Sequence, residues 1–69
     1  MKYMLFKEWF INQFGSKDGE MGDLALDIKN DSKFPETSDH SVLEEYISRR
    51  ADSEVIKIFN KAYKLYATR

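Results

Sequence analysis

The chain has no cysteine and only one proline, three glycines and one histidine in 69 residues. Without thiols, neither a disulfide nor a thiolate–metal site can staple it. No stretch approaches the run of about 18 apolar residues that a membrane span needs. The first apolar stretch, Tyr3 to Phe6, is stopped by Lys7-Glu8, which is too short for the core of a secretory signal. A cytoplasmic protein is therefore expected. Net charge is also lacking: eleven basic and twelve acidic residues leave −1, which names no partner by itself.

Large aromatics are abundant instead: five Phe, four Tyr and one Trp. Such side chains bury much area at low rotamer cost, which suits a compact folded domain and argues against a disordered segment. The length allows one domain, residues 1–69. At this size a single core supplies only about 3–5 kcal/mol. The charges are unevenly placed. Residues 1–14 carry net +1, residues 15–46 net −6 and residues 47–69 net +4. The sequence is thus a dipole, with an acidic middle and a basic tail.

Hydrophobic periodicity predicts four short helices. The first covers about residues 3–14, with Tyr3, Phe6, Trp9, Phe10 and Phe14 on one face and Gly15 as its stop. Met4, Leu5 and Ile11 fall on other faces, so at least one of them is expected under the fourth helix or in an exposed apolar patch. After the loop Gly15-Ser16-Lys17-Asp18-Gly19, a second helix runs from about Met21 to Lys29, with Met21, Leu24, Ala25 and Ile28 as its stripe. Pro35 holds Phe34 in an extended or turn backbone, and Phe34 is expected in the core.

The third helix is expected near Ser41, with Ser41 and Glu44 at capping-box spacing, Val42 or Leu43 with Tyr46 and Ile47 as its apolar side, and Arg49-Arg50 in its last turn. Asp52 or Ser53 can cap a fourth helix of about residues 54–67. There Val55, Phe59, Ala62, Tyr63 and Tyr66 share a face, and Lys57, Lys61 and Lys64 lie nearly opposite. The expected core is Phe6, Trp9, Phe10, Leu24, Ile28, Phe34, Tyr46, Phe59, Ala62 and Tyr63. The fold class is all-α, a compact orthogonal bundle of four short helices.

The anchors occur in a recognisable order: Phe6 with Trp9-Phe10, Leu24-Ala25, Asp31-Ser32-Lys33-Phe34-Pro35, Tyr46-Ile47, and Phe59-Asn60-Lys61-Ala62-Tyr63-Lys64-Leu65-Tyr66. From about Leu5 to Tyr66 this resembles the YozE-type family of small bacterial proteins with a sterile-alpha-motif-like (SAM-like) helical fold. The resemblance implies the same four-helix architecture and no established activity. Two departures stand out. The Tyr46–Phe59 spacing is about one residue shorter than the family pattern, and Lys7 stands where a Tyr commonly follows the first Phe. The end of the third helix and the surface beside the first are the least transferable parts.

Ser38-Asp39-His40-Ser41 holds the residue types of a hydrolase triad, but adjacent residues cannot form that relay, because the base must bridge its partners in space. The segment reads as a polar helix start. Asp18, Glu20, Asp23, Asp27 and Asp31 do not match the calcium-loop pattern and read as a solvated acidic face. The aromatics have core spacing and do not suggest a base-stacking platform. Gly15, Gly19 and Gly22 have the wrong spacing for a helix-hairpin-helix turn. No cofactor or metal is called for.

What remains is a non-enzymatic protein-interaction module, pairing with itself or with another protein. Its candidate binding residues are Arg49, Arg50, Lys57, Lys61 and Lys64. The SAM-like resemblance implies head-to-tail pairing of an acidic mid-domain surface with a basic surface near the last helix, here Arg49, Arg50 and Lys57. The alternative is nucleic-acid binding through the basic face of the last helix.

Overall fold

The computed structural model of the chain describes residues 4–69. Its elements are α1 (Phe6–Phe14), α2 (Glu20–Lys29), α3 (His40–Ser48) and α4 (Ser53–Ala67). α4 is the organising element: it packs against α1, α2 and α3, while α1 also packs on α2. Its inward stripe is Phe59, Ala62 and Tyr66, all buried, flanked by half-buried Val55 and Tyr63. Phe6, Trp9 and Phe10 of α1, Leu24, Ala25 and Ile28 of α2, and Leu43 and Ile47 of α3 complete the core.

Each helix start has an identifiable cause. α1 begins at Phe6, later than its periodicity suggests, because Leu5 is extended (φ −66°, ψ 156°). Leucine offers no capping oxygen, so the first amides find partners elsewhere. Glu8 Oε1 accepts from Leu5 N at 3.4 Å, and Ser38 Oγ, from a distant segment, accepts from Phe6 N at 3.1 Å. Tyr3, expected on the aromatic face, lies outside the described residues. α2 starts after Gly19, whose φ of +100° suits only glycine. Gly22 is buried in the first turn, and a Cβ there would fall 1.7 Å from Lys17 O. The loop before α2 therefore lies directly on the helix backbone.

The expected Ser41–Glu44 capping box does not form. α3 starts one residue earlier, with Asp39 as the cap: its Oδ1 accepts from Ser41 N at 2.9 Å and Val42 N at 3.4 Å. A carboxylate before the helix reaches the first-turn amides directly and leaves Ser41 exposed. Glu44 is drawn the other way, accepting from Asn60 Nδ2 of α4 at 3.0 Å. Of the two candidates for the inward position, Leu43 is buried and Val42 exposed. α3 also ends sooner than expected. Arg49 is its C-cap and Arg50 lies in the following turn, where Arg50 N and Ala51 N both donate to Ile47 O, at 3.0 and 2.9 Å. Asp52 caps α4 by accepting from Val55 N at 3.2 Å.

Eight of the ten expected core residues are buried; Tyr46 and Tyr63 are half-buried. Both keep their hydroxyls at polar partners near the surface, as amphipathic rings do. Tyr63 OH donates to Ser38 O at 2.6 Å and Tyr46 OH to Asp31 Oδ2 at 2.6 Å. Met4, Leu5 and Ile11 are each half-buried, and Met4 packs against the core cluster. Among the described residues the exposed large apolar ones are Leu26, Val42 and Leu65, one each on α2, α3 and α4.

Candidate functional site

In Ser38-Asp39-His40-Ser41 each of the first three side chains has a structural task, and Ser41 is exposed. Ser38 joins three segments: its Oγ takes the Phe6 amide and lies 2.9 Å from Tyr66 OH, which donates to Met4 O at 2.7 Å. Asp39 is the α3 cap. The His40 ring stacks on Phe59 at 5.5 Å and meets Tyr63 edge-on at 4.8 Å, and its Nε2 is 2.6 Å from Asn60 Oδ1. Ser, Asp and His here point to three different partners and form no relay.

The candidate binding residues Arg49, Arg50, Lys57, Lys61 and Lys64 are all exposed. They do not form one patch. Arg49 pairs with Glu45 at 3.7 Å, within the C-terminal part of α3. Arg50 lies flat over Tyr46, its guanidinium carbon 4.2 Å from the ring centroid. Lys57 is two residues beyond Val55, about 160° around α4, and so belongs with Lys61 and Lys64. Lys61 borders a shallow hollow of about 320 Å³ with Phe14, Met21 and Ile58. The basic tail thus splits into an arginine pair at the α3–α4 turn and a lysine stripe along α4.

The larger hollow, about 480 Å³, was not foreseen from the sequence. It opens between α2, the connector at Asp31 to Phe34, and the α3–α4 turn. Leu24, Ile28, Phe34 and Ile47 form its apolar floor, with Ala51 and Val55 at one side. Its polar lining is Asp27, Asp31, Asp52, Tyr46 and Arg50. Phe34, placed by Pro35 and buried as expected, meets Tyr46 edge-on at 5.5 Å. Asp31 is doubly held: Oδ2 accepts from Tyr46 and Oδ1 accepts from Lys33 N at 3.0 Å. The Tyr46 hydroxyl, then the Lys33 amide, hold the Asp31 carboxyl below its ordinary pKa, and the same bond to Asp31 raises the Tyr46 phenol above its own. The only sequence signal for this hollow was Asp31-Phe34-Pro35 itself, which marks the connector but not what faces it.

Among the described residues no group of three His, Cys, Asp or Glu side chains is placed to hold a metal ion. No helix of the described residues is long and apolar enough to cross a membrane.

The architecture defines the class: a small all-α domain in which a long last helix closes three shorter ones. The sequence model of the family described as the YozE SAM-like fold matches residues 6–68, nearly the whole chain. The chain belongs to that family. No curated protein matches it, and no solved structure does.

Proposed function

We propose that this SAM-like domain is a non-enzymatic, cytoplasmic interaction module that binds another protein molecule. The observation that carries the reading is the lack of internal charge pairing. Among the described residues the structure holds one ion pair, Arg49–Glu45, in a chain with eleven basic and twelve acidic residues. Glu20, Asp23 and Asp27 stay exposed on α2, and Lys57, Lys61 and Lys64 stay exposed on α4. Segregated and unpaired charges of this kind steer encounters with a complementary surface and set register more than they add affinity. The unpaired lysine stripe also favours a second reading, contact with nucleic-acid phosphates.

Two variants separate these readings: Arg49→Glu with Arg50→Glu, and Lys57→Glu with Lys61→Glu. Both are expected to stay folded, the arginine pair losing about 0.5–1 kcal/mol because Arg50 leaves the Tyr46 ring. Self-association by sedimentation, at low and high salt, is expected to weaken in the arginine pair. If association is unchanged in both variants while oligonucleotide binding by the parent shows a steep salt slope that the lysine variant abolishes, the phosphate reading replaces the protein one.

A further inference from the structure

We propose that the hollow between α2, the Asp31–Phe34 connector and the α3–α4 turn is a docking site for a linear segment of another protein, one that presents an apolar side chain beside a lysine or arginine. The proposal rests on the interaction reading above and gives its partner a chemistry.

Shape and charge carry it together. The volume, about 480 Å³, suits one or two side chains and not a whole helix face. The floor of Leu24, Ile28, Phe34 and Ile47, with Ala51 and Val55 beside it, receives an apolar group. The rim is acidic, and its three carboxylates come from three parts of the chain: Asp27 from α2, Asp31 from the connector and Asp52 from the turn. Arg50 is the single cation in the lining, and it is already placed over Tyr46.

The three carboxylates differ in what they have left to offer. Asp31 uses both oxygens, on Tyr46 and on Lys33 N. Asp52 uses Oδ1 on its helix cap. Asp27 is exposed and makes no hydrogen bond or ion pair among the described residues. Two further features set the field. A net excess of two negative charges stands beside a low-dielectric floor, which focuses the field on an incoming cation. Asp31, held ionised by its donors, keeps its negative charge while positioning the Tyr46 ring that walls the hollow. A cation entering beside Asp27 and Asp52, with its apolar neighbour on the floor, meets both needs. An acidic segment meets repulsion, and a purely apolar one leaves the rim without a partner.

The test is a selection of random linear peptides displayed on phage against the intact chain. The best enriched sequence is then made synthetically and titrated into the isotope-labelled protein. Enriched sequences are expected to share an apolar residue next to lysine or arginine. The synthetic peptide should shift the amide signals of Ile28, Ile47, Ala51 and Val55. Asp27→Lys should weaken it by about tenfold or more, with an unchanged melting temperature. Asp18→Lys makes the same change in net charge away from the hollow and should leave affinity within about twofold.

The proposal is overturned if no peptide enriches, if the shared pattern lacks a basic residue, if the shifts fall on the lysine stripe of α4, or if the two variants lose affinity equally. It is also overturned if the parent self-associates and Asp27→Lys alone restores the monomer, since the occupant is then a second copy. Failure of the broader reading is seen separately, as unchanged association in both the arginine and lysine variants above. Peptides that fail here while the arginine variant still loses association sink only the docking site.

Discussion

Phe6 is fully buried, and its ring meets five others: Trp9, Phe10, Phe59, Tyr63 and Tyr66, all with centroids within 6.0 Å. Phe59 faces it edge-on at 5.4 Å and also carries the His40 ring. Removing Phe59 therefore opens a cavity among rigid rings that collapse poorly. Phe59→Ala is expected to cost about 3–5 kcal/mol, close to the whole stability available at this length. A melting temperature within a few degrees of the parent would refute this packing. The Asp31–Tyr46 pair makes a second prediction at this scale. Asp31 titrates below its ordinary value of 3.8 in the folded state, so the bond's contribution is present above that pH and is lost as pH falls through the folded value. Tyr46 titrates above 10.0, so the contribution is present below that pH and lost as pH rises through the raised value. Thermal melts across pH should show both limbs in the parent, and Tyr46→Phe should flatten them. Limbs of unchanged slope in the variant would place the titration elsewhere.

Helices were legible wherever one strong stripe decides the register. α4 is the clearest case, because Val55, Phe59, Ala62 and Tyr66 recur at helical spacing and the element ends where expected, at Ala67. Ends set by a distant partner were not legible. α1 begins where Ser38 supplies an oxygen to Phe6 N, across 32 positions of sequence. Glu44 has the spacing of a capping residue but belongs to Asn60. α3 begins at His40 because the Asp39 carboxylate, two positions before the serine expected to cap it, takes the first-turn amides. Gly22 is a further element-scale feature without a periodic signal: only the packed loop reveals that a side chain has no room there. Gly22→Ala gains helix propensity, yet it drives a methyl into Lys17 O, so a net loss of about 1–3 kcal/mol is expected from denaturant melts. A stabilised variant would mean that the 15–19 loop moves aside freely.

At the scale of the whole molecule, α4 touches all three other helices, and its Tyr66 hydroxyl ties the last turn to Met4, 62 positions away. No helix has a core of its own, so the chain should unfold as one unit. Far-ultraviolet circular dichroism and Trp9 fluorescence are expected to report the same midpoint in urea; two separated transitions would contradict a single core. The sequence by itself determined the class of fold, because ten large aromatics, all but Phe34 placed in the expected helices, in a chain without cysteine leave one aromatic-filled helical core as the way to bury enough surface. It also determined that Phe34 is buried and that the six basic residues of the last third stay exposed, since local geometry and desolvation cost decide both. The tertiary structure alone decided how those charges are grouped. Separation along a chain is not separation in space, so Arg50 falls beside Asp27, Asp31 and Asp52, while Lys57 turns away to join Lys61 and Lys64. The acidic hollow exists only because three segments far apart in sequence are brought to one rim, and no local pattern encodes a surface whose parts meet only after the core has closed.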